Sequence, residues 1–330
     1  MKKYTTYFCA IALVLSSAIT SCTKKSEKIT SGDPAPCSAV LYGYAISGTP
    51  IFPDSTAAFG TINPSSATST PAGSINNTAY SNQGAFNTSE NCYYVFKYFN
   101  SGSTSTLYKI TPAGAVTTFT ASAVERLEGL VYDSITNSLY CLKCNSSTPA
   151  EVVKLTLTGT TFSHTTVGTT SSIARSVSPT TSTINNTTGE IYFSTMNHSP
   201  DRYGIEKFNP ATGVATLIAS GSDKRIMGLR FNKNDNMLYA IAENITSTPR
   251  TFDFVKITTS GSFSVLSTIP FQVNNEFYST AFNPCDNRYI VSSLTGSGWT
   301  ICTLHQFNMG GTIVQSDTTS GLYQGMIVTY

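Results

Sequence analysis

Tryptophan occurs once and histidine three times in 330 residues, and only 12% of side chains are charged. So little charge excludes a coiled coil, which is built from charged helix formers, and a charge-driven disordered chain. The formal net charge is +2. Two of the 20 basic residues, Lys2 and Lys3, lie in an N-terminal segment expected to be removed, which leaves 18 basic against 18 acidic side chains. A neutral chain has no basic field for a phosphate backbone, so nucleic acid does not fit as a partner. His164, His198 and His305 are far apart in sequence, and no HExxH, GxSxG or Gly-rich phosphate loop occurs. No catalytic set is assembled by motif. What is plentiful is Ser, Thr, Asn and Gly, with 18 Tyr and 18 Phe to fill a core.

The N-terminus reads MKKYTTYFCAIALVLSSAITSC. Two lysines precede an apolar run from Tyr7 to Leu15, too short for a bilayer, which takes roughly 20 residues. This is the n-region and h-region of a secretory signal. Ile19-Thr20-Ser21-Cys22 resembles a bacterial lipobox. The resemblance implies a lipoprotein signal peptide over 1–21, cleavage before Cys22 and lipid chains on that residue. Two or more acyl chains anchor a protein stably. The alternative is an ordinary signal peptide with an incidental cysteine. Residues 22–36 are polar with two prolines, as a tether should be. No aspartate follows Cys22, so the expected location is the cell envelope, at the outer membrane, held by the lipid anchor only. Residues 37–330 form the folded domain.

Five segments of that domain share one pattern: Asn or Asp, three turn-type residues, Asn or Gly, one residue, then a large apolar pair. They are Asn87 to Tyr94, Asp133 to Tyr140, Asn185 to Tyr192, Asn232 to Tyr239 and Asn283 to Ile290, and their starts are 46, 52, 47 and 51 residues apart. A short apolar strand precedes each. Asn, Asp and Gly suit the turn because they accept φ > 0 or bond their own backbone. A second pattern follows: apolar, any, Lys or Gln, apolar, as in Leu107-Tyr108-Lys109-Ile110 and Leu304-His305-Gln306-Phe307. A Gly-containing turn and another β-branched strand come next. Each unit thus holds four antiparallel strands joined by hairpins, one blade of a β-propeller.

The chain ends supply a sixth unit. Leu41-Tyr42 and Phe59–Pro64 match strands two and three, and Gln324–Val328 matches strand one. Joining them closes a ring and removes two open sheet edges. The fold class is therefore all-β, a six-bladed propeller of four-stranded antiparallel blades. Two β-sandwich domains would also show short, evenly spaced strands, but would not need complementary ends. The lone Trp299 and the lack of a Trp-Asp ending argue against the WD40 type. The pattern resembles six-bladed propellers of the NHL, TolB-like and SMP-30-like kind. Asp54-Ser55-Thr56, Asp133-Ser134-Ile135 and Asp317-Thr318-Thr319 resemble the O-glycosylation sequon of Bacteroidetes-type bacteria.

Six cysteines follow Cys22. An exported chain permits disulfides, and Cys37, Cys92 and Cys285 fall in equivalent turns of three adjoining blades. Cys37 is expected to bridge to Cys92 or to Cys285, and the sequence does not choose between them. Cys141-Leu142-Lys143-Cys144 is a CxxC within a strand, where alternation separates the sulfurs, so buried thiols or a local bridge fit better than metal or redox work.

Propeller ligands bind where outer strands cross to the next inner strand. Repeat register brings to that mouth Asn82, Gln83, Arg126, Glu128, Arg225, Glu276, Tyr278 and Gln324, and a neighbouring loop brings Trp299. Such a polar and aromatic mouth suits a small polar ligand, a glycan or an envelope protein; equally, its charges pair with one another. The segment Arg126-Leu127-Glu128-Gly129-Leu130 resembles the Glu-Gly start of SMP-30-like lactonases, which implies a divalent cation on Glu128. A Ca²⁺ site takes about 6–8 oxygen ligands, and Met227 and Tyr278 stand where the resemblance wants oxygen donors. The expectation is a non-catalytic binding or interaction module. The alternatives are a metal-dependent lactonase or esterase centred on Glu128 and a structural subunit of an envelope complex.

Overall fold

Each repeat folds around an Asx turn. The side-chain oxygen of Asn87, Asp133, Asn185, Asn232 and Asn283 accepts the backbone N–H two residues on, at 2.9–3.0 Å in all five. Four positions after that residue the backbone is left-handed, at Asn91, Asn137, Gly189, Asn236 and Asn287, with φ between 48° and 74°. Asn and Gly adopt that conformation at little cost, which is why one or the other recurs there.

The computed structural model describes residues 37–46, 57–75, 83–96, 105–123, 125–144, 149–171, 181–198, 201–271, 278–295 and 301–329. The chain divides into Met1–Ser38 and Ala39–Tyr330, and all the strands belong to the second unit. The closing blade holds β1 (Val40–Ile46), β2 (Ala57–Asn63) and β3 (Thr68–Ile75). Blade one is β4 (Gly84–Asn87), β5 (Cys92–Phe96), β6 (Thr106–Ile110) and β7 (Val116–Ala121). Blade two is β8 (Leu127–Asp133), β9 (Ser138–Lys143), β10 (Glu151–Thr158) and β11 (Thr161–Thr169). Blade three is β12 (Thr181–Asn185), β13 (Glu190–His198), β14 (Asp201–Asn209) and β15 (Val214–Gly221). Blade four is β16 (Lys224–Asn232), β17 (Met237–Asn244), β18 (Thr251–Thr258) and β19 (Phe263–Ile269). Blade five is β20 (Tyr278–Asn283), β21 (Arg288–Thr295), β22 (Ile301–Asn308) and β23 (Ile313–Thr318). Last comes β24 (Leu322–Thr329), which pairs antiparallel with β1, Leu41 opposite Val328 and Tyr42 opposite Ile327. The expected propeller is formed. Each inner strand (β4, β8, β12, β16, β20, β24) touches the next, and β24 touches both β20 and β4, so the ring is closed. Four blades are separate sheets; blades one and two share an eight-stranded sheet through a short parallel pairing of β7 with β11.

The core lies between blades. Tyr44, Phe59, Tyr93 and Val95 pack where the closing blade meets blade one, and Met227, Phe254, Tyr289 and Phe307 where blade four meets blade five. The Phe59–Tyr93 and Phe254–Phe307 ring centroids are each 4.9 Å apart, favourable distances for tilted and offset rings. In blades one, three and four the Lys of the second pattern stands opposite a tyrosine on the neighbouring strand and reaches an acid at the turn. Lys109 meets Glu90 at 2.8 Å, Lys207 meets Glu190 at 3.2 Å and Lys256 meets Asp235 at 3.1 Å. Tyr94, Tyr192 and Tyr239 donate their hydroxyls to the same three acids.

Blades alternate in kind. The inner strands β8, β16 and β24 each carry a left-handed glycine (Gly129, Gly228, Gly325) and a register break; β4, β12 and β20 carry neither. In two of the three cases a tyrosine of the following blade donates to that glycine's carbonyl: Tyr93 to Gly325 and Tyr289 to Gly228, both at 2.5 Å. The third place holds Ile191. Crossings alternate too. Those into blades one, three and five span 76–83, 170–180 and 270–277, against 122–126, 222–223 and 319–321 for the others. The wheel is thus three two-blade modules, which accounts for the alternating 46, 52, 47 and 51 residue spacing.

The outermost strands carry one formal charge, Asp317, so charge does not guard their edges. Five of the six outer pairings instead have a register shift, a bulge that twists the edge away. The regular one, β6 with β7, is the blade whose edge β11 covers.

Cys37 and Cys285 are both disulfide-bonded. Cys92, the other partner considered for Cys37, carries a buried thiol, and its place in a bridge is withdrawn. Cys141 is a buried thiol in β9 whose pKa burial pushes up; Cys144 lies just past the strand end and also carries a thiol.

Candidate functional site

Buried polar side chains bond from blade to blade between the inner strands. Gln83, just before β4, is buried and donates through Nε2 to Leu130 O at 2.8 Å, Ser182 O at 2.6 Å and Ser182 Oγ at 2.7 Å, while its Oε1 accepts the Ser182 N–H at 2.7 Å. These bonds tie blade one to blades two and three. Arg230, in the middle of β16, is 5% exposed and donates from Nη2 to Thr280 O at 2.6 Å and from Nη1 to Ser182 O at 3.0 Å. They tie blade four to blades five and three. Gln83 and Arg230 thus meet at one carbonyl, that of Ser182, and together span five of the six blades. Burial raises the Tyr93 and Tyr289 hydroxyls beside them, and the Arg230 charge opposes that rise.

Gln83 is therefore a channel residue, and its expected place at the mouth is corrected. The same holds for Gln324, which is buried in β24 and accepts from the Tyr44 hydroxyl at 3.2 Å. For Gln324 the cause is the register break at Gly325 in β24; Gln83 precedes the short β4, which begins only at Gly84. Tyr278 begins β20 opposite Ser293, with its backbone alone described. Asn82, Glu276 and Trp299 lie outside the described residues.

Of the charges expected at the mouth, Arg126, Glu128 and Arg225 are described, and all three are paired. Arg126 Nε lies 2.5 Å from Glu128 Oε1. Arg225 and Glu243 are cross-strand partners on β16 and β17, with Nη1 3.2 Å from Oε2. That contact is an ion pair without hydrogen-bond geometry, since Oε2 accepts no hydrogen bond. Arg250 closes on the same buried carboxylate, Nη1 to Oε1 at 2.7 Å. On blade two, Lys143 stands between Glu125 at 3.3 Å and Glu151 at 3.4 Å, and His164 Nε2 lies 2.5 Å from Glu125. His305 is 3% exposed, its Nδ1 is 2.8 Å from the Ser316 hydroxyl, and its ring stacks on Phe271 at 3.7 Å. Burial lowers its pKa to about 4.

A divalent cation does not fit Glu128 as the described residues stand. The carboxylate accepts from Arg126, and the matching positions on β16 and β24 are Met227, a thioether, and the buried Gln324. Among the described residues no three His, Cys, Asp or Glu side chains gather as metal ligands. The sequence reading missed Arg230 and Arg250. A lone cation inside Leu229-Arg230-Phe231 was a usable signal for the first; a loop position gave none for the second. A shallow cleft of about 330 Å³ opens on the opposite face, lined by Ala39, Leu41, Asn63, Pro64, Asn283 and Val328 among others.

No family model and no curated protein matches this sequence. Solved structures match it in fold. TolB from Acinetobacter baumannii has a TM-score of 0.62 at 10% identity, over 89% of this chain and 67% of that one. A nidogen/laminin complex scores 0.59 at 10% identity, over 89% of this chain and 99% of that one. The periplasmic gluconolactonase of Pseudomonas aeruginosa scores 0.59 at 9% identity, over 88% and 99%. At such identity the likeness is one of fold, and the fold is that of the TolB-like and gluconolactonase-like propellers.

Proposed function

We propose that this chain is a lipid-anchored propeller of the cell envelope whose mouth face binds a protein partner without catalysing a reaction on it. The observation that carries the reading is that the buried polar groups between the inner strands are engaged in joining blades. Gln83 and Arg230 use their polar atoms to join five blades, so these groups serve the ring rather than a ligand. Recognition is left to the broad face and its loops, which suits a partner with a surface of its own. The paired mouth charges point the same way, since paired groups make a polar rim rather than a reacting centre. Among structures of this fold, one is a nidogen/laminin complex and another a periplasmic enzyme, so the ring is compatible with both a protein partner and an exported location.

The test is purification of the native lipoprotein from envelopes in mild detergent. A stoichiometric protein that co-purifies supports the reading; a monomer that elutes alone contradicts it. A calcium-dependent rise in Tm that Glu128→Gln abolishes would instead favour the metal-dependent hydrolase, because a ligand that binds only the native state stabilises by mass action.

A further inference from the structure

We infer that Arg250 is a point at which the mouth face grips its protein partner, and that the group it takes is a carboxylate, an Asp or Glu side chain of that partner. This rests on the protein-partner reading above. Residues 245–250 join β17 to β18 at the end away from the Asx turn, so their loop lies on the mouth face. The loop is pinned by its own bonds. The Ile245 N–H donates to Asp223 O at 3.0 Å, the Ser247 hydroxyl to Asn244 O at 2.9 Å, and the Thr251 N–H to Ser247 Oγ at 3.0 Å. Arg250 closes the loop with its side chain 52% exposed, and its Nη1 donates to Oε1 of the buried Glu243 at 2.7 Å. Glu243 in turn faces Arg225 across the strand pair. Among the described residues Glu243 is the one partner of Arg250. One edge of the guanidinium is thus fixed by a buried acid, and the other N–H donors of its planar fork are left to the outside.

An exposed arginine ordinarily loses rotamer freedom when a partner docks on it; Arg250 is ordered beforehand, so less of that cost falls on binding. Its fork matches a carboxylate, and arginine is enriched among the residues that dominate interface energy. The exposed neighbours Thr246, Thr248, Pro249 and Thr251 carry no charge, so the loop brings no acid of its own to compete for the fork. Other mouth cations stand closer to their acids: Arg126 is two residues from Glu128, Lys224 is next to Asp223, and Lys143 lies between Glu125 and Glu151. A chain-terminal carboxylate is captured by a nest of backbone N–H groups, and the Ile245 and Thr251 N–H groups of this loop are already used. A side-chain carboxylate is the better match.

The experiment purifies the full lipoprotein from envelopes in mild detergent as wild type, Arg250→Met and Arg250→Lys, and measures the protein retained with each. Arg250→Met should retain roughly ten-fold less or lower still, and Arg250→Lys, which keeps the charge and loses the fork, an intermediate amount. Thermal melts check the fold; Arg250→Lys leaves a cation beside Glu243 and serves if Arg250→Met does not fold. The amine of Arg250→Lys also admits a zero-length test, because a carbodiimide condenses it with the carboxylate it touches. Mass spectrometry should find position 250 joined to an Asp or Glu of the retained protein. Equal retention by all three proteins overturns the inference and leaves the protein-partner reading intact. So does retention with position 250 joined only to Glu243 or to the retained protein's C-terminus. A wild-type lipoprotein that retains no protein overturns both.

Discussion

The turn face and the channel of this wheel are held by different kinds of bond. On the turn face the same residues recur blade after blade, and most bonds are local: an Asx oxygen to its own turn, a lysine to the acid and tyrosine of its own blade. The side chains are partly solvated, and an ion pair there contributes roughly 0–1 kcal/mol. In the channel the bonds cross from blade to blade, and those of Gln83 and Arg230 are each made in one blade alone. Their donors and acceptors are buried, where an unmet group costs about 1–3 kcal/mol. Repetition therefore marks what each blade needs to fold, and departure from it marks what joins the blades.

That contrast is easiest to break at Arg230. Arg230→Met should cost about 3 kcal/mol, because it strips the Thr280 carbonyl of two donors in a buried site. Urea unfolding would show this, and a loss below about 1 kcal/mol would place the channel on a par with the turn face. A similar size is expected for the pH response of His305. Its folded pKa of about 4 lies below the ordinary 6.5, so the native state prefers the neutral ring. Stability is full above about 6.5 and falls with pH until about 4, by about 3 kcal/mol; His305→Phe should flatten that slope. Gly228→Ala should cost roughly 2 kcal/mol, because φ is 64° and the added methyl would press on the Tyr289 hydroxyl. Smallest is Lys256→Met on the turn face, expected to stay below about 1 kcal/mol in the same denaturation assay. Glu90 behaves likewise: the Lys109 ammonium and Tyr94 hydroxyl lower its pKa, so its small contribution is present above the ordinary carboxyl range and fades as pH falls through the lowered value.

The turn face was also the legible part of the sequence. Asx turns and left-handed Asn or Gly are decided within a few residues, so five copies could be aligned and the blades counted. Closure was legible because Gln324–Val328 and Leu41-Tyr42 supply the strands that the other end lacks. The channel was not legible, because what Gln83 meets is decided by Leu130 and Ser182, residues 47 and 99 positions away. Register placed Gln83 and Gln324 at the mouth since it assumed uniform inner strands; the glycine bulge of β24 breaks that assumption for Gln324, and the short β4 breaks it for Gln83. Cys92 and Cys285 occupy the same turn in different blades, so spacing alone could not choose between them; Cys92 carries a thiol and Cys285 is disulfide-bonded.

The account's central claim is that the mouth, rather than the turn face, meets the partner. Lysines mark the two faces separately: Lys143 and Lys224 at the mouth ends of β9 and β16, and Lys109, Lys154, Lys207, Lys233 and Lys256 in or beside the turns. Lysine-directed cross-linking of the native lipoprotein, followed by peptide mass spectrometry, reads the difference directly. Cross-links from a co-purifying protein to Lys143 and Lys224 are expected; cross-links confined to Lys109, Lys154, Lys207, Lys233 and Lys256 would contradict that placement.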